Sequence, residues 1–394
     1  MTKAHGFPNK GLIINRSSDM ELIFVDFSKD ALIAIHAPQS PSIYAHHIFL
    51  VVKSISNREM DTPLLSVLLL FLLVSCSLPS LTLSAYSFRC HASDKRVLWK
   101  IKKSLKIPHY FDSWNPSTDC CNWNYVGCDP SDRVTQILFY NIHTPFKIPE
   151  AVGDLPFLKT LDFDDIPNFT GSIPYSITKL QNLEILRIWN TSLSGPIPEF
   201  LSQLKNLRYL HLGYNQLSGP IPSSLANLNK LQSLDLLSNK FTGTIPDSFG
   251  SFKDGEYGVF SLHLSHNQLS GGIPTSINVS SIDLSHNKLS GDASMLLREN
   301  GAAEWIYLSH NQLDFDLTKV KFPKNLKVLD LSHNQIHGNI PKQLINKLDL
   351  ESMDLSYNQL CGKIPFGGNV QKMGAKSFAH NRCLCGPPLP NKCK

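Results

Sequence analysis

The chain has 394 residues, of which 42% are hydrophobic and 18% charged, with a formal net charge of +5 at pH 7. That apolar content can build a core, which excludes an intrinsically disordered polyelectrolyte. The mild basic surplus forms no single stripe of Lys and Arg, so a nucleic-acid footprint is absent.

Residues 1–59 are read as an upstream extension that is not part of the mature protein. Met60 stands where an initiator would, and Leu64 to Val74 is an apolar run of eleven residues broken only by Ser66. With Ser75, Cys76, Pro79 and the small-residue stretch to Ala85, this fits the core and cleavage region of a signal peptide over 60–85, and it is too short to span a membrane. Six cations and six anions leave with residues 1–85, so the net charge is unchanged.

Of nine cysteines, Cys76 lies in the signal and the other eight form two groups of four: Cys90, Cys120, Cys121 and Cys128, then Cys361, Cys383, Cys385 and Cys393. The first group falls in segment 86–132; Cys361 closes a repeat region over 133–365, and Cys383, Cys385 and Cys393 fall in segment 366–394. An open stack of repeats exposes apolar core at both ends, and disulfide-stapled caps would cover it. No Cys-x-x-Cys occurs and the count is even, so bridges are favoured over metal. Counting alone leaves 105 pairings open.

Between the caps one phrase recurs about every 24 residues, from about Leu138 to Pro365. Its cleanest copy is Leu207, Leu210, Leu212, Asn215, Leu217, Gly219, Ile221, Pro222. Other copies put their Asn at 168, 239, 267, 287, 311, 334 and 358, and Thr191 replaces it in the third. Leu-x-Leu has period two, so Leu210 and Leu212 point inward from a short strand while Tyr209, His211 and Gly213 point out. The Asn amide serves backbone groups where the chain turns, Gly permits the turn, and Pro fixes φ. A single coil cannot bury its leucines, but stacked coils share a continuous core. The expected fold is an α/β solenoid, a right-handed leucine-rich repeat superhelix of about ten coils with a concave parallel β-sheet.

The outward positions would form ladders on the concave side. Asp162, Asp235, Asp283, Asp330 and Asp354 make an acidic one, with Asp164 beside it. His266, His286, His310 and His333 make an imidazole one, each between Ser and Asn, with His211 and His263 expected on neighbouring columns. Free imidazole titrates near pH ~6.5, so this row would gain charge in an acidic wall. Aromatics are interspersed at Trp189, Tyr209, Tyr214, Trp305, Tyr307 and Tyr357, and Arg187, Trp189 and these tyrosines are candidate anchors, since aromatic and Arg side chains carry most interface energy. Any one Asp or His at such a position is more simply explained as solvated or bonded along its ladder. The surface as a whole, mixed in charge and dotted with aromatics, reads as a binding face. Asn168, Asn190 and Asn278 begin Asn-x-Ser/Thr sequons and are candidate glycan sites.

The caps carry more specific strings. Cys90 to Cys128 includes Asp94-Lys95, Leu98, Ile101-Lys102-Lys103, Ser113-Trp114 and Asp119-Cys120-Cys121-Asn122-Trp123, and the other end reads Asn381-Arg382-Cys383-Leu384-Cys385-Gly386-Pro387-Pro388-Leu389-Pro390. From Cys90 to Lys394 the sequence resembles the plant polygalacturonase-inhibiting proteins. The resemblance implies a secreted, monomeric protein of the plant cell wall and apoplast that binds fungal or insect endopolygalacturonases and blocks pectin cleavage. It also implies the bridges Cys90–Cys120, Cys121–Cys128, Cys361–Cys383 and Cys385–Cys393. Tyr125 stands where many members carry an extra Cys. The Asn239 to Asn267 interval is long and Asn267 to Asn287 short, which bears on which enzymes fit.

Enzyme chemistry has no foothold in the sequence. There is no Gly-x-Ser-x-Gly, no His-Glu-x-x-His, no phosphate-cradling Gly loop, and no cofactor or metal set; His263 and His266 read as solvated surface. Pectin, a polyanion, is a weak electrostatic partner for Lys319, Lys321, Lys324 and Lys327 on one rim. Two alternatives to the inhibitor are a repeat module that recognises a peptide or receptor, and an ice binder. The mix of Asp, His and bulky aromatics argues against the flat Thr or Asn array that ice requires.

Overall fold

The computed structural model describes residues 14–17, 20–27, 31–36, 90–105, 107, 109–253, 260–346 and 350–393, in two units, Met1–Tyr86 and Ser87–Lys394. In the first unit the strands Ile14–Ser17, Met20–Phe27 and Ala31–His36 pair antiparallel in sequence order. The signal segment expected over 60–85 lies outside the described residues.

The second unit is a leucine-rich repeat solenoid with an eleven-stranded sheet. Val126–Cys128 runs antiparallel to Val134–Tyr140, and from there every strand is parallel to the last, through Thr160–Ile166, Ile185–Thr191 and Tyr209–His211 to Ser352–Asp354. Register is strict. Leu161, Leu186, Leu210, Leu234, Leu262, Ile282, Ile306, Leu329 and Met353 stand side by side, all buried. A one-residue slip would turn each of them to solvent, which pins the alignment. At the start of the ladder the pattern shifts: Ile137 and Phe139 are the inward residues of their strand, and Leu138 faces outward beside Asp162. Strands spaced about 4.8 Å apart need less room than the turns behind them, so the sheet is the inner wall.

Each of the ten parallel strands leaves the sheet through one residue in the left-handed region: Asn141, Asp165, Asn190, Tyr214, Ser238, His266, His286, His310, His333 and Tyr357, with φ between 50° and 55°; His380 repeats the conformation in the cap, after the turn Ala375–Phe378. The buried asparagine follows. Asn239 Nδ2 donates to the carbonyls of Leu212, Leu236 and Leu237, and its Oδ1 accepts from Leu217 N–H at 2.9 Å. The same pattern repeats at Asn267, Asn287, Asn311, Asn334 and Asn358, so each amide ties its own turn to the preceding coil. Asn381, within the C-terminal cap, extends the series.

Asn168 is not part of that ladder. Ile166 occupies the equivalent position, paired with Thr191, and Asn168 sits two residues later, exposed, donating to the His143 carbonyl. An extra residue before Phe169 displaced it in the sequence pattern. Thr191 is a working substitute: its hydroxyl accepts from Leu193 N–H and donates to Asn215 Oδ1.

Behind the sheet, Gly-x-Ile-Pro opens 3-10 turns and not α-helices. Pro174, Pro198, Pro222 and Pro246 precede Tyr175–Lys179, Glu199–Gln203, Ser223–Asn227 and Asp247–Ser251 with φ from −76° to −63°, each accepting from the residue three later. Proline is well placed there because its ring presets φ and a turn's first residues need no donor. The only α-helix among the described residues is Ala92–Leu105, in the N-terminal cap.

That cap covers the first coil with Leu98, Ile101, Phe111 and Trp114, all fully buried. Asp94, 1% exposed, is held by Arg133 Nε and Nη2 at 2.9 and 2.8 Å and by Val134 N–H at 3.1 Å. Burial pushes its carboxyl up, but these donors and Ser93 outweigh burial and hold it below the usual carboxylate range. Sulfurs pair Cys90 with Cys120, Cys121 with Cys128, Cys361 with Cys383 and Cys385 with Cys393. At the far end the strand Cys383–Cys385 lies parallel to Gln359–Lys363.

Candidate protein-binding face

Parallel register arranges the outward residues of the sheet in columns. The central column reads Asp162, Arg187, His211, Asp235, His263, Asp283, Tyr307, Asp330, Asp354. His211 and His263 therefore share the column of the aspartates instead of flanking it, and the ladder expected to be acidic is interrupted by cation, imidazole and phenol. The reason is that both histidines, like the aspartates, sit between two inward residues. Tyr209 lies one column before, with Trp305. Asp164 and Trp189 lie one column after, and Tyr214, His266, His286, His310 and His333 occupy the left-handed edge.

Charge and aromatic groups meet at the first coils. Arg187 Nη1 lies 3.1 Å from Asp162 Oδ1 and 3.0 Å from Asp164 Oδ2, and its guanidinium lies 5.4 Å from the centre of the Trp189 ring. Burial pushes the Asp162 carboxyl up more than Arg187 pulls it down. The Trp189 indole meets the exposed Tyr214 edge to face, with centroids 5.1 Å apart. Gly213 makes the space: a Cβ there would fall 2.5 Å from Trp189 Cζ3. Gly213 carries no signal in the sequence, because a glycine in a repeat offers no chemistry of its own. Upstream, Tyr110 stacks on Tyr125 at 4.9 Å, and Tyr125 meets Tyr140 at 6.0 Å, so the aromatic surface continues into the cap.

In mid-face the residues are coupled. Tyr209 donates its hydroxyl hydrogen to Gln232 Oε1 at 2.9 Å, His211 Nε2 is 3.0 Å from Ser233 Oγ, and His263 Nδ1 is 3.5 Å from Asp235 Oδ2. The hydrogen bond to Asp235 raises the His263 imidazole above its ordinary value, while burial lowers His211. Asp235, Asp283, Asp330 and Asp354 each accept, through Oδ1, from the backbone N–H two residues on. One oxygen of each is thus structural; the second oxygen of Asp235 faces His263.

The imidazole ladder is a stack. His266, His286, His310 and His333 lie face to face with centroids 4.0–4.1 Å apart, and Tyr357 and His380 continue it at 4.0 and 4.2 Å. His380 was not among the expected site residues. The Ala379-His380-Asn381 string, which echoes Ser-His-Asn inside the cap, was the signal for His380. His286 and His310 do not behave as free imidazoles, since burial and the neighbouring rings lower both. An open groove of about 570 Å³ runs along the stack from His286 to His380, edged by Asp330, Asp354 and Lys376.

The basic rim is half neutralised: Lys319 lies 3.4 Å from Asp316 and Lys327 2.6 Å from Glu304, while Lys321 and Lys324 are exposed. The sequon residues Asn168, Asn190 and Asn278 are all exposed. Among the described residues, no helix is long and apolar enough to cross a membrane.

Comparison with known proteins agrees with this architecture. A model described as a leucine rich repeat N-terminal domain matches residues 91–129, and leucine rich repeat models match 181–241, 259–280, 325–346 and 349–367. A curated relative named polygalacturonase inhibitor, from Vitis vinifera, is 50% identical over 330 residues, 84% of this chain and 97% of that protein. Leucine-rich repeat protein FLOR 1 of Arabidopsis thaliana is 50% identical over 304 residues, 77% of this chain and 93% of that one. Among solved structures, a plant ice-binding protein superposes with a TM-score of 0.73 at 43% identity, covering 77% of this chain and 99% of that one.

Proposed function

The chain belongs to the polygalacturonase inhibitors, a family of leucine-rich repeat proteins, and from that premise we propose that it is a secreted, monomeric protein of the plant cell wall that occludes a fungal or insect endopolygalacturonase with its strand face. The observation that supports this most is the knot of Arg187 with Asp162 and Asp164, beside Trp189 and Tyr214. Side chains already held by one another lose little freedom on binding, which is how a rigid surface converts contact into affinity. Inhibition needs no chemistry from the inhibitor, only a shape that fills a cleft.

The second oxygens of Asp283, Asp330 and Asp354 would meet Lys or Arg on the enzyme, setting the rate of encounter and orientation. Glycans would sit on Asn168, Asn190 and Asn278. Asn190 adjoins Trp189, so a glycan there would narrow access to the knot. Weak pectin binding would draw on Lys321 and Lys324 and would fade with added salt.

Reducing-end release from polygalacturonate, measured with a panel of fungal and insect endopolygalacturonases and the purified chain beginning near Tyr86, tests the proposal. Inhibition of at least one enzyme, weakened at least tenfold by Trp189→Ala, is expected. A chain that inhibits none of a broad panel would instead favour recognition of a peptide or receptor. Ice binding is the weaker reading, because charged and imidazole columns replace a flat hydroxyl or amide array.

A further inference from the structure

The C-terminal half of the strand face carries a charge that the imidazole row is placed to reverse. The groove beside the row is lined by His286, His310, His333 and His380, by Asp330 and Asp354, and by Lys376. With these rings neutral, two carboxylates face one ammonium and the lining is net negative. Two protons on the rings change that sign. Resting on the reading that these aspartates meet Lys or Arg on the enzyme, we propose that the imidazole row is a proton-operated gate on the contact, holding a basic segment of the partner while the rings are neutral and releasing it as they take up protons.

Stacking sets the order in which protons arrive. His266, His286, His310 and His333 lie ring over ring, with centroids 4.0–4.1 Å apart and planes 13–14° apart. Both faces of His286, His310 and His333 are covered by neighbouring rings, so each gains its proton at an edge. Charges on adjacent rings at that spacing repel one another even in water, while charges on alternate rings, about twice as far apart, repel much less. Alternate protonation is enough: His286 and His333 charged, with His310 neutral between them, supply both protons. Tyr357 continues the spacing, 4.0 Å from His333 and 4.2 Å from His380.

The charges that face the row are few. Asp283 and Asp330 favour the protonated rings, while Asp354 and Lys376 border the groove beyond them. Ser238, the left-handed residue of the coil before His266, ends the row without a charge. Burial and the neighbouring rings outweigh Asp283 and Asp330 at His286, and outweigh Asp330 at His310, so both imidazoles stay neutral to lower pH than a free one. The gate therefore closes on cations in mild acid instead of near neutrality.

The test uses the full chain and tetralysine, a cationic probe that needs no enzyme, in calorimetry on either side of the ordinary imidazole pKa of about 6.5, at pH ~7.5 and pH ~5. Wild type should bind the probe at least fivefold more weakly at the lower pH. Replacing the four lining histidines, His286→Asn, His310→Asn, His333→Asn and His380→Asn, should leave less than a twofold change. Asn tolerates the left-handed backbone, and an unchanged melting curve confirms the fold. The pair Asp330→Asn, Asp354→Asn should weaken binding at least tenfold at pH ~7.5, which locates the probe in the groove. By NMR, His310→Asn alone should raise the His286 midpoint by about half a pH unit, because one facing charge is gone. Equal binding of tetralysine by wild type at both pH values, full pH dependence in the four-histidine variant, undiminished binding by the aspartate pair, or an unmoved His286 midpoint overturns the proposal. A chain that gates tetralysine as described but inhibits no endopolygalacturonase supports the gate and counts against the inhibitor reading alone.

Discussion

Replacing Asn239 with alanine should destabilise the solenoid by about 2–3 kcal/mol, nearly all of it from one orphaned donor. The three carbonyls that Asn239 serves each keep another partner: Leu212 O accepts from Asn215 Nδ2, Leu236 O from Asn267 Nδ2, and Leu237 O from Tyr214 N–H. Leu217 N–H, which donates to Asn239 Oδ1 at 2.9 Å in the buried interior, loses that acceptor. A buried backbone donor without a partner costs about 1–3 kcal/mol, and the thinner coordination of the carbonyls adds a few tenths. Asn168→Ala is the internal comparison, because that side chain is exposed with one bond to a carbonyl, and it should stay within about 0.5 kcal/mol of wild type. Urea unfolding, compared by midpoint at constant slope, measures both. Equal losses at the two positions, or no loss at Asn239, would refute the assignment of the ladder.

Gly213→Ala should drive the Trp189 indole off Tyr214, since the added carbon falls 2.5 Å from Cζ3. Calorimetry against an inhibited endopolygalacturonase should then show at least tenfold weaker binding, and unchanged affinity would remove Trp189 from the contact. Asp94, held below the usual carboxylate range, contributes stability that is present above the ordinary carboxylate pKa of about 3.9 and is lost as pH falls through its lower folded value. Asp94→Asn should therefore cost about 3 kcal/mol at pH ~5, and thermal melts should show the gap to wild type closing in strong acid; a gap independent of pH contradicts this. NMR titration should place His263 above the ordinary imidazole value of 6.5 and His286 and His310 below it, with Asp235→Asn lowering His263. One common midpoint for all three would be incompatible with the contacts described.

Periodicity made the core, the sheet and the caps legible, because Leu210 and Leu212 can only face inward if the strand is to be covered. Column membership was harder. His211 and His263 read as separate from the aspartates because their chemistry differs, whereas their shared column follows from register, a property of neighbouring coils. Asn168 misled because an Asn near a Gly matches the pattern by composition, while one extra residue moves it out of the interior. The stack of rings was only half visible: the Ser-His-Asn string announced the row, but its continuation through Tyr357 and His380 crosses from repeats into a cap. Gly213 was silent for the opposite reason, since its role is an absence of atoms.

The left-handed exit from each strand limits how this edge can change. A branched side chain such as Val or Ile there would press its Cβ substituents against the backbone, so the edge accepts chiefly Asn, Asp, His, Gly and a few unbranched residues. Ten successive strands obey this among the described residues, and His380 repeats it in the cap. New specificities must therefore arise on the neighbouring outward positions, where extended backbone admits any residue, while the rim keeps a narrow palette of hydrogen-bonding and ring-bearing groups.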